Sequence, residues 1–238
     1  MIIKNKFCTF TVASKKYIQS ALALSCSFFK NSACGDFYLF CINCSDEKSK
    51  LQLFQKKYPR FQFKLIEKDL DFKRSLKSTW FVRYTEGGAY CAAYRSVGIL
   101  DLINIYDNIF YLDADSIIRK DICSFLEEDF DVSFRVRGGR KELCTLSGHI
   151  FIKSNNMTKQ FFTCYREEIK KYGETIWYTD QVALGITYNK FKDRIKFSQL
   201  AENFADARYN IDSHVWVKKG PIKSRAYNEC QSKYKFNG

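Results

Sequence analysis

The sequence predicts a single α/β domain whose central sheet is mostly parallel and flanked by helices. Three observations lead there. Short apolar runs alternate with longer amphipathic ones through the first half of the chain, the pattern of successive βαβ units. The 238 residues lie near the upper end of what one hydrophobic core supports. Two prolines and eleven glycines leave no stretch that reads as a linker, and neither an internal repeat nor a low-complexity tract is present.

The elements follow in order. Phe7 to Val12 reads as a first strand, Tyr17 to Phe29 as a helix, Asp36 to Ile42 as a second strand, Asp46 to Tyr58 as a second helix and Phe61 to Ile66 as a third strand. Tyr90 to Ile105 is helical by the spacing of Tyr94, Val97, Leu100 and Ile103, and Asn108 to Leu112 is a continuously apolar run of the kind found in a buried central strand. Beyond it, Asp131 to Val136 and His149 to Lys153 read as strands, Met157 to Lys171 as a helix and Asp180 to Tyr188 as a shorter one. From Phe191 the pattern is irregular, and 217–238 is polar, basic and weakly patterned, a tail that either folds over a site or moves freely.

Composition narrows the setting. Apolar residues make up 46% and charged residues 27%, as in a soluble globular protein. The N-terminus lacks the hydrophobic region and cleavage site of a secretory signal, and no apolar run reaches membrane-spanning length. Ten cysteines without framework spacing suit a reducing compartment, so a cytoplasmic protein is expected. Cys41 and Cys44 have thiol-redox spacing but no helix start to activate them, and read as inert. The formal charge of +13 predicts anionic partners: a nucleotide diphosphate, a phosphorylated acceptor, an acidic membrane face or nucleic acid. The basic run Arg135 to Lys141 is either a solvated turn or a grip on an anionic acceptor or on donor phosphates.

The chemistry concentrates after the apolar run 108–112, which ends in Asp113-Ala114-Asp115. In open α/β sheets ligands bind outside the carboxyl ends of strands. If strand geometry persists, residues two apart face the same side, so both carboxylates meet one cation. Such hard oxygen donors suit Mg²⁺ or Mn²⁺. The plain alternative is two acids solvated in a turn.

The segments Tyr-Arg-Ser-Val-Gly-Ile-Leu-Asp (94–101) and Ile-Phe-Tyr-Leu-Asp-Ala-Asp-Ser-Ile-Ile-Arg-Lys-Asp-Ile (109–122) resemble the signature of GT-A glycosyltransferases. Val-Ala-Ser-Lys-Lys-Tyr (12–17), Ser-Gly-His-Ile-Phe-Ile (147–152) and Thr-Asp-Gln-Val-Ala-Leu (179–184) extend the resemblance in the same order. It is strongest to the retaining, family 8-like group that includes glycogenin and the bacterial lipopolysaccharide galactosyl- and glucosyltransferases. The resemblance implies a GT-A fold spanning 1–238, with a nucleotide-binding half to about 115, an acceptor-side half to about 216 and the basic tail beyond.

It also implies roles. Val12, Ala13 and Tyr17 correspond to the nucleoside-binding loop, with Tyr17 either stacking on a uracil or packing as core. Arg95 corresponds to a basic residue directed at the diphosphate, against a solvated helix face as the plain alternative. Asp180 and Gln181 correspond to the pair lining the reacting sugar, though an Asp-Gln opening a helix is also an ordinary cap. His214 is expected as third metal ligand beside Asp113 and Asp115, and Lys223 as a diphosphate contact, although Gly220 follows the histidine later than the family pattern has it. His149 is expected to be packed rather than to bind a ligand.

The implied activity is transfer of a hexose-type sugar from a nucleotide-sugar, a UDP-sugar first, to a glycan or lipid-linked anionic acceptor, in surface polysaccharide or glycoconjugate synthesis. Mn²⁺ or Mg²⁺ is the implied cofactor, peripheral membrane association is allowed by the charge, and nucleic acid is not an expected partner. Retention would let a diphosphate oxygen deprotonate the acceptor, whereas inversion would make Asp180 the general base. Two rivals stand beside this: a haloacid-dehalogenase-type phosphatase or phosphotransferase using Asp113 and Asp115, which normally opens its domain with such a motif, and a non-catalytic basic module.

Overall fold

The computed structural model describes residues 6–77, 83–136, 145–201, 203–218 and 225–236. Strand β1 (Phe7–Ser14) leads through a 3-10 turn into helix α1 (Ile18–Asn31), then β2 (Asp36–Ile42), α2 (Lys48–Lys57) and β3 (Phe61–Ile66). The short strands β4 (Leu76–Lys77) and β5 (Arg83–Tyr84) pair with each other ahead of α3 (Glu86–Leu102), β6 (Asn108–Leu112) and β7 (Ser116–Ile118). After a 3-10 turn over Cys123–Glu127 come β8 (Val132–Val136), β9 (Thr145–Lys153), α4 (Asn156–Tyr172) and α5 (Thr179–Phe191). The chain closes with β10 (Phe197–Gln199), β11 (Ala205–Asp206), β12 (Val215–Val217) and α6 (Arg225–Ser232).

Seven strands form one sheet in the order β10-β8-β9-β6-β1-β2-β3. Neighbours are parallel except where β9 meets β6 and β8. Every residue of β1 and β6 is buried, which is why these strands read as continuous apolar runs: helices cover both of their faces. The twofold alternation of a strand is still visible in which helices each side chain meets. Phe7, Phe110 and Leu112 pack with Leu22 of α1 and Phe54 of α2, whereas Cys8, Phe10, Ile109 and Tyr111 pack with Ile99 of α3, Tyr165 of α4 and Leu184 of α5.

Where the elements differ from expectation, the reason is local. Helix α3 begins at Glu86, four residues before Tyr90, because Thr85 caps it by accepting from Gly88 N–H at 3.1 Å. The Gly87-Gly88 pair masks that start in the sequence, and Gly87 is needed there: a Cβ would meet the Phe72 ring at 2.3 Å. Strand β9 starts at Thr145 rather than His149, paired with β8 across a register shift between Phe134 and Arg135. The region after Phe191 is ordered as a small sheet β11-β12-β7, and α6 folds back onto it through the buried Tyr227, which packs with Ile117 and Trp216. Among the described residues no helix is long and apolar enough to cross a membrane.

Helix α3 approaches the sheet closely at Gly98, where an added Cβ would lie 2.7 Å from Phe10 Cε2 and 3.0 Å from Phe40 Cε2. Both rings are fully buried, so neither has room to withdraw. Gly98→Ala should therefore lower stability by about 1–2 kcal/mol, overpacking outweighing the gain of about 1 kcal/mol in helix propensity. A urea titration checks this, and a stabilised variant would contradict it.

Candidate active site

The sheet order turns back at β1: the chain runs outward to β2 and β3, then returns to lay β6 against the other edge of β1. The crevice at the carboxyl ends of such a strand pair is where open α/β sheets bind ligands. Here β1 delivers Ser14 and the turn Lys15–Tyr17, and β6 delivers Asp113-Ala114-Asp115. A cleft of about 440 Å³ opens beside them. Its walls include Lys15, Lys16 and Tyr17 after β1, Arg83 and Tyr84 of β5, and Trp177 ahead of α5. Tyr84 and Trp177 stack with centroids 6.0 Å apart. The acids are not themselves in this wall. Tyr17 joins the two regions: it lines the cleft, and its hydroxyl is pushed up by burial and then by the charges of Asp115 and Asp113.

Strand alternation decides what Asp113 meets. Following Ile109 and Tyr111, it falls on the face covered by α3 and α5. Tyr111 Oη donates to Asp113 Oδ1 at 2.7 Å, and Arg95 Nη2 of α3 lies 3.5 Å from the same oxygen. That guanidinium also lies 3.3 Å from Asp180 Oδ2 of α5, donates to the carbonyls of Ser147 and Ala92, and stacks 4.7 Å over the Tyr111 ring. Ser147 Oγ donates to Asp180 Oδ2. The side chains of Arg95 and Asp180 are only 5% and 7% exposed, whereas that of Asp113 is 37% exposed. Arg95 is thus a buried bridge with one open carboxylate and one closed one. Gly148 makes room for the open one, since a Cβ there would sit 2.5 Å from Asp113 Oδ2.

Asp115 is held differently. The chain turns at the motif instead of continuing as a strand, with Ser116 N–H donating to Asp113 O at 3.0 Å. The two carboxylates are therefore neighbours because of a turn, not because of strand alternation. The Asp115 carbonyl accepts from Lys218 N–H at 3.1 Å and from Tyr227 Oη at 2.7 Å, so β12 and α6 anchor it. Its carboxyl is raised to about 7, by burial first and by Asp113 second, with Lys218 only partly opposing. An acid so raised beside a second carboxylate lacks a counter-charge. Two hard oxygen donors short of positive charge fit Mg²⁺ or Mn²⁺, which are commonly held by one or two carboxylates with phosphate and water completing the shell.

The remaining expected residues distribute as follows. Val12 and Ala13 have buried side chains inside β1, and the residues that reach the cleft from this loop are Ser14 to Tyr17. Ala114 is buried in the core, and Gln181 stands partly exposed at the start of α5, its carbonyl accepting from Thr145 Oγ1 at 2.7 Å. His214 is not brought to the acids. Register puts Val217 opposite Ser116 and Val215 opposite Ile118, so His214 lies beyond the far end of β7 from Asp115. There its ring stacks on Phe204, meets Phe125 edge-on and shares a 3.0 Å hydrogen bond with the Asp121 carbonyl. Among the described residues no group of three or more His, Cys, Asp or Glu could hold an ion. Lys223 and 137–141 of the basic loop lie outside the described residues. His149 is half-buried, and burial lowers its pKa to about 4 against the pull of Asp113. Sequence reasoning missed Tyr111, Lys218, Tyr227 and the Tyr84–Trp177 stack. Only Tyr111 carried a signal, as the residue two before Asp113 on the same strand.

No family model matches the chain, and no curated protein matches it. Solved structures do. The galactosyltransferase LgtC, crystallised with donor and acceptor sugar analogs, superposes with a TM-score of 0.61 at 12% identity, covering 95% of this chain and 95% of its own. The glycosyltransferase GlyE of Streptococcus pneumoniae TIGR4 gives 0.59 at 14% identity over 96% of this chain. A bifunctional glycosyltransferase, WbbM, gives 0.58 at 10% identity over 92% of this chain. The chain spans 60% of the length of GlyE and 47% of that of WbbM. Acids at the end of the sixth strand rather than the first also part this chain from the haloacid-dehalogenase alternative. The chain has the fold of the GT-A glycosyltransferases, a mostly parallel seven-stranded sheet flanked by helices.

Proposed function

We propose that the chain is a metal-dependent glycosyltransferase that moves a hexose-type sugar from a nucleotide-sugar, a UDP-sugar first, to a glycan or lipid-linked acceptor with retention. One observation carries this reading: two acids at the turn-back point of a GT-A sheet, one of them raised to about 7, beside a cleft lined by aromatic and basic side chains. The likeness to LgtC over nearly its whole length supports it.

In this reading the nucleoside lies in the cleft against Tyr17 and the Tyr84–Trp177 pair, and the diphosphate near Lys15, Lys16 and Lys218, with Lys223 a further contact. Asp113 and Asp115 hold Mn²⁺ or Mg²⁺, which supplies positive charge to the departing diphosphate. Arg95 does not clamp phosphate. It fixes Asp113 and Asp180 in place from behind. Asp180 and Gln181 open α5 toward the reacting sugar and orient it. Because Asp180 is committed to Arg95 and Ser147, a front-face reaction in which a diphosphate oxygen takes the acceptor proton suits the site better than an inverting path with Asp180 as base. The charge of +13 suits an anionic acceptor, free in solution or at an acidic membrane face.

Three outcomes test this. Asp113→Asn and Asp115→Asn should each fold, by circular dichroism, yet lose about a hundredfold or more in turnover of a UDP-sugar at fixed Mn²⁺. Asp115→Asn should be the more severe, since Asp113 is shared with Tyr111 and Arg95. Folded variants with wild-type turnover and metal dependence would remove the site.

The second outcome concerns pH. The Asp115 carboxyl sits near 7 in the folded chain against about 3.9 unfolded, so between those values the folded state binds the extra proton. Its contribution is fully present below the unfolded value and is lost as pH rises through 7. Mn²⁺ binds the anion, so the rise in melting temperature on adding Mn²⁺ with UDP should be larger at pH 8 than at pH 5.5. Equal shifts would contradict the assignment.

The third is Arg95→Met, which keeps length but leaves Asp180 buried without its cation. It should cost about 3–5 kcal/mol in a urea titration. A phosphate clamp would instead change donor affinity and leave stability intact.

A further inference from the structure

Outside the cleft, one pair of side chains is poised for chemistry that glycosyl transfer does not use. The sulfurs of Cys34 and Cys123 lie 2.8 Å apart, about 0.8 Å beyond disulfide bonding distance, although 89 positions separate the residues. Both residues are partly exposed. Among the described residues no other two thiols make such a contact. The Cys41–Cys44 spacing, by contrast, does not bring its sulfurs together: both side chains are buried, and Cys44 Sγ is directed at the carbonyls of Ile42 and Ala13.

The surroundings hold the pair in register. Cys34 lies in the connection between α1 and β2, and Cys123 opens the 3-10 turn that follows β7. Asp121 links them: its carboxylate accepts from Cys123 N–H at 2.9 Å. Burial pushes that carboxyl up, but the N–H and thiol of Cys123 and the N–H of Ala33, next to Cys34, outweigh burial and hold it below its ordinary range. A second tie runs in parallel, from Asn31 Nδ2 at the end of α1 to Ile118 O at the end of β7, 2.8 Å. The two backbones are thus tied to each other independently of the sulfurs.

We propose that Cys34 and Cys123 are an oxidative modification site that closes to an intramolecular disulfide on exchange with a low-molecular-weight disulfide such as oxidised glutathione. The two thiols give up two protons and two electrons, and a bond forms between their sulfurs. The S–S bond of the oxidant breaks, and its halves leave as two thiols, one after each exchange. The Cys123 thiol is pushed up to about 12 by burial and by its bond to Cys34, so closure is faster at alkaline pH. The crosslink joins the start of β2 to the segment leading away from Asp115, at the end of β2 opposite the cleft. Restricting an unfolded loop of this length raises the melting temperature by about 10 °C.

The test is peptide mapping of the full chain under native conditions. The protein is incubated at pH 8.5 with oxidised glutathione or with a reductant, free thiols are then blocked, and the digest is weighed. The expected result is one linked peptide containing Cys34 and Cys123, about 2 Da lighter than its two reduced parts, present only in the oxidised sample. Melting temperature should rise in that sample and return on reduction. Cys34→Ser and Cys123→Ser should each abolish the linked peptide and the shift, while Cys164→Ser keeps both. The wild-type map decides the matter even if a variant misfolds. Recovery of Cys34 and Cys123 as separately blocked thiols, as glutathione adducts or paired with other cysteines would overturn the proposal.

Discussion

The buried guanidinium of Arg95 is the constraint around which the candidate site is organised. A cation in the interior is tolerated only when its charge and its donors are satisfied, and here two carboxylates, two carbonyls and a tyrosine ring do so. Those partners come from β6, α3, β9 and α5. The position of Asp113 is consequently tied to that of Asp180, although the two are 67 positions apart and the strand direction changes between them. The demand runs outward as well. Strand β9 must bring the Ser147 carbonyl close, and a Cβ on the next residue, Gly148, would displace the Asp113 carboxylate from its place.

Asp115 depends on a separate support. The small sheet of β7, β12 and β11 grips the chain just after the acids, and α6 closes over it with Tyr227 donating to the Asp115 carbonyl. Lys218 N–H and Tyr227 Oη both bond the Asp115 carbonyl, so the backbone is held and the carboxylate is left beside Asp113. Burial then makes its charge costly beside Asp113, which is the electrostatic state that a divalent ion relieves. The arrangement stores unfavourable charge at the point where the proposed chemistry needs an ion, and the surrounding β-structure keeps the acids from separating.

The cleft wall shows a comparable tension. Tyr178 takes a left-handed conformation, φ 70° and ψ −1°, at the N-terminus of α5, directly between Trp177 of the wall and Thr179-Asp180. A non-glycine residue there costs on the order of 1 kcal/mol. Its carbonyl accepts from Gln181 and Val182, so the turn that aims Asp180 inward also swings Trp177 out to stack on Tyr84. One backbone kink thus sets both the Trp177 edge of the cleft and the inward position of Asp180.

The sequence by itself determined the order of the main strands and helices as far as α5, and the point where the acids emerge. Period-two and period-3.6 apolar patterns record which residues are buried, and burial is what the hydrophobic effect acts on residue by residue. Thus Phe7 onward, Asp36–Ile42 and Asn108–Leu112 are readable as strands, and Asp113 and Asp115 as strand-end acids. The start of α3 was not readable, because Gly87 and Gly88 weaken helix propensity while a tertiary contact with Phe72 and the Thr85 cap restore the helix. Tertiary structure alone decided the partners: that Arg95 bridges Asp113 and Asp180, that His214 lies beyond the end of β7 far from Asp115, that Lys218 and Tyr227 bond the Asp115 carbonyl, and that Cys34 rather than Cys44 meets another thiol. Spacing along the chain says which side chains share a face, but contacts between residues 85 to 112 positions apart are set by strand register and helix packing, and those are settled only when the whole core closes.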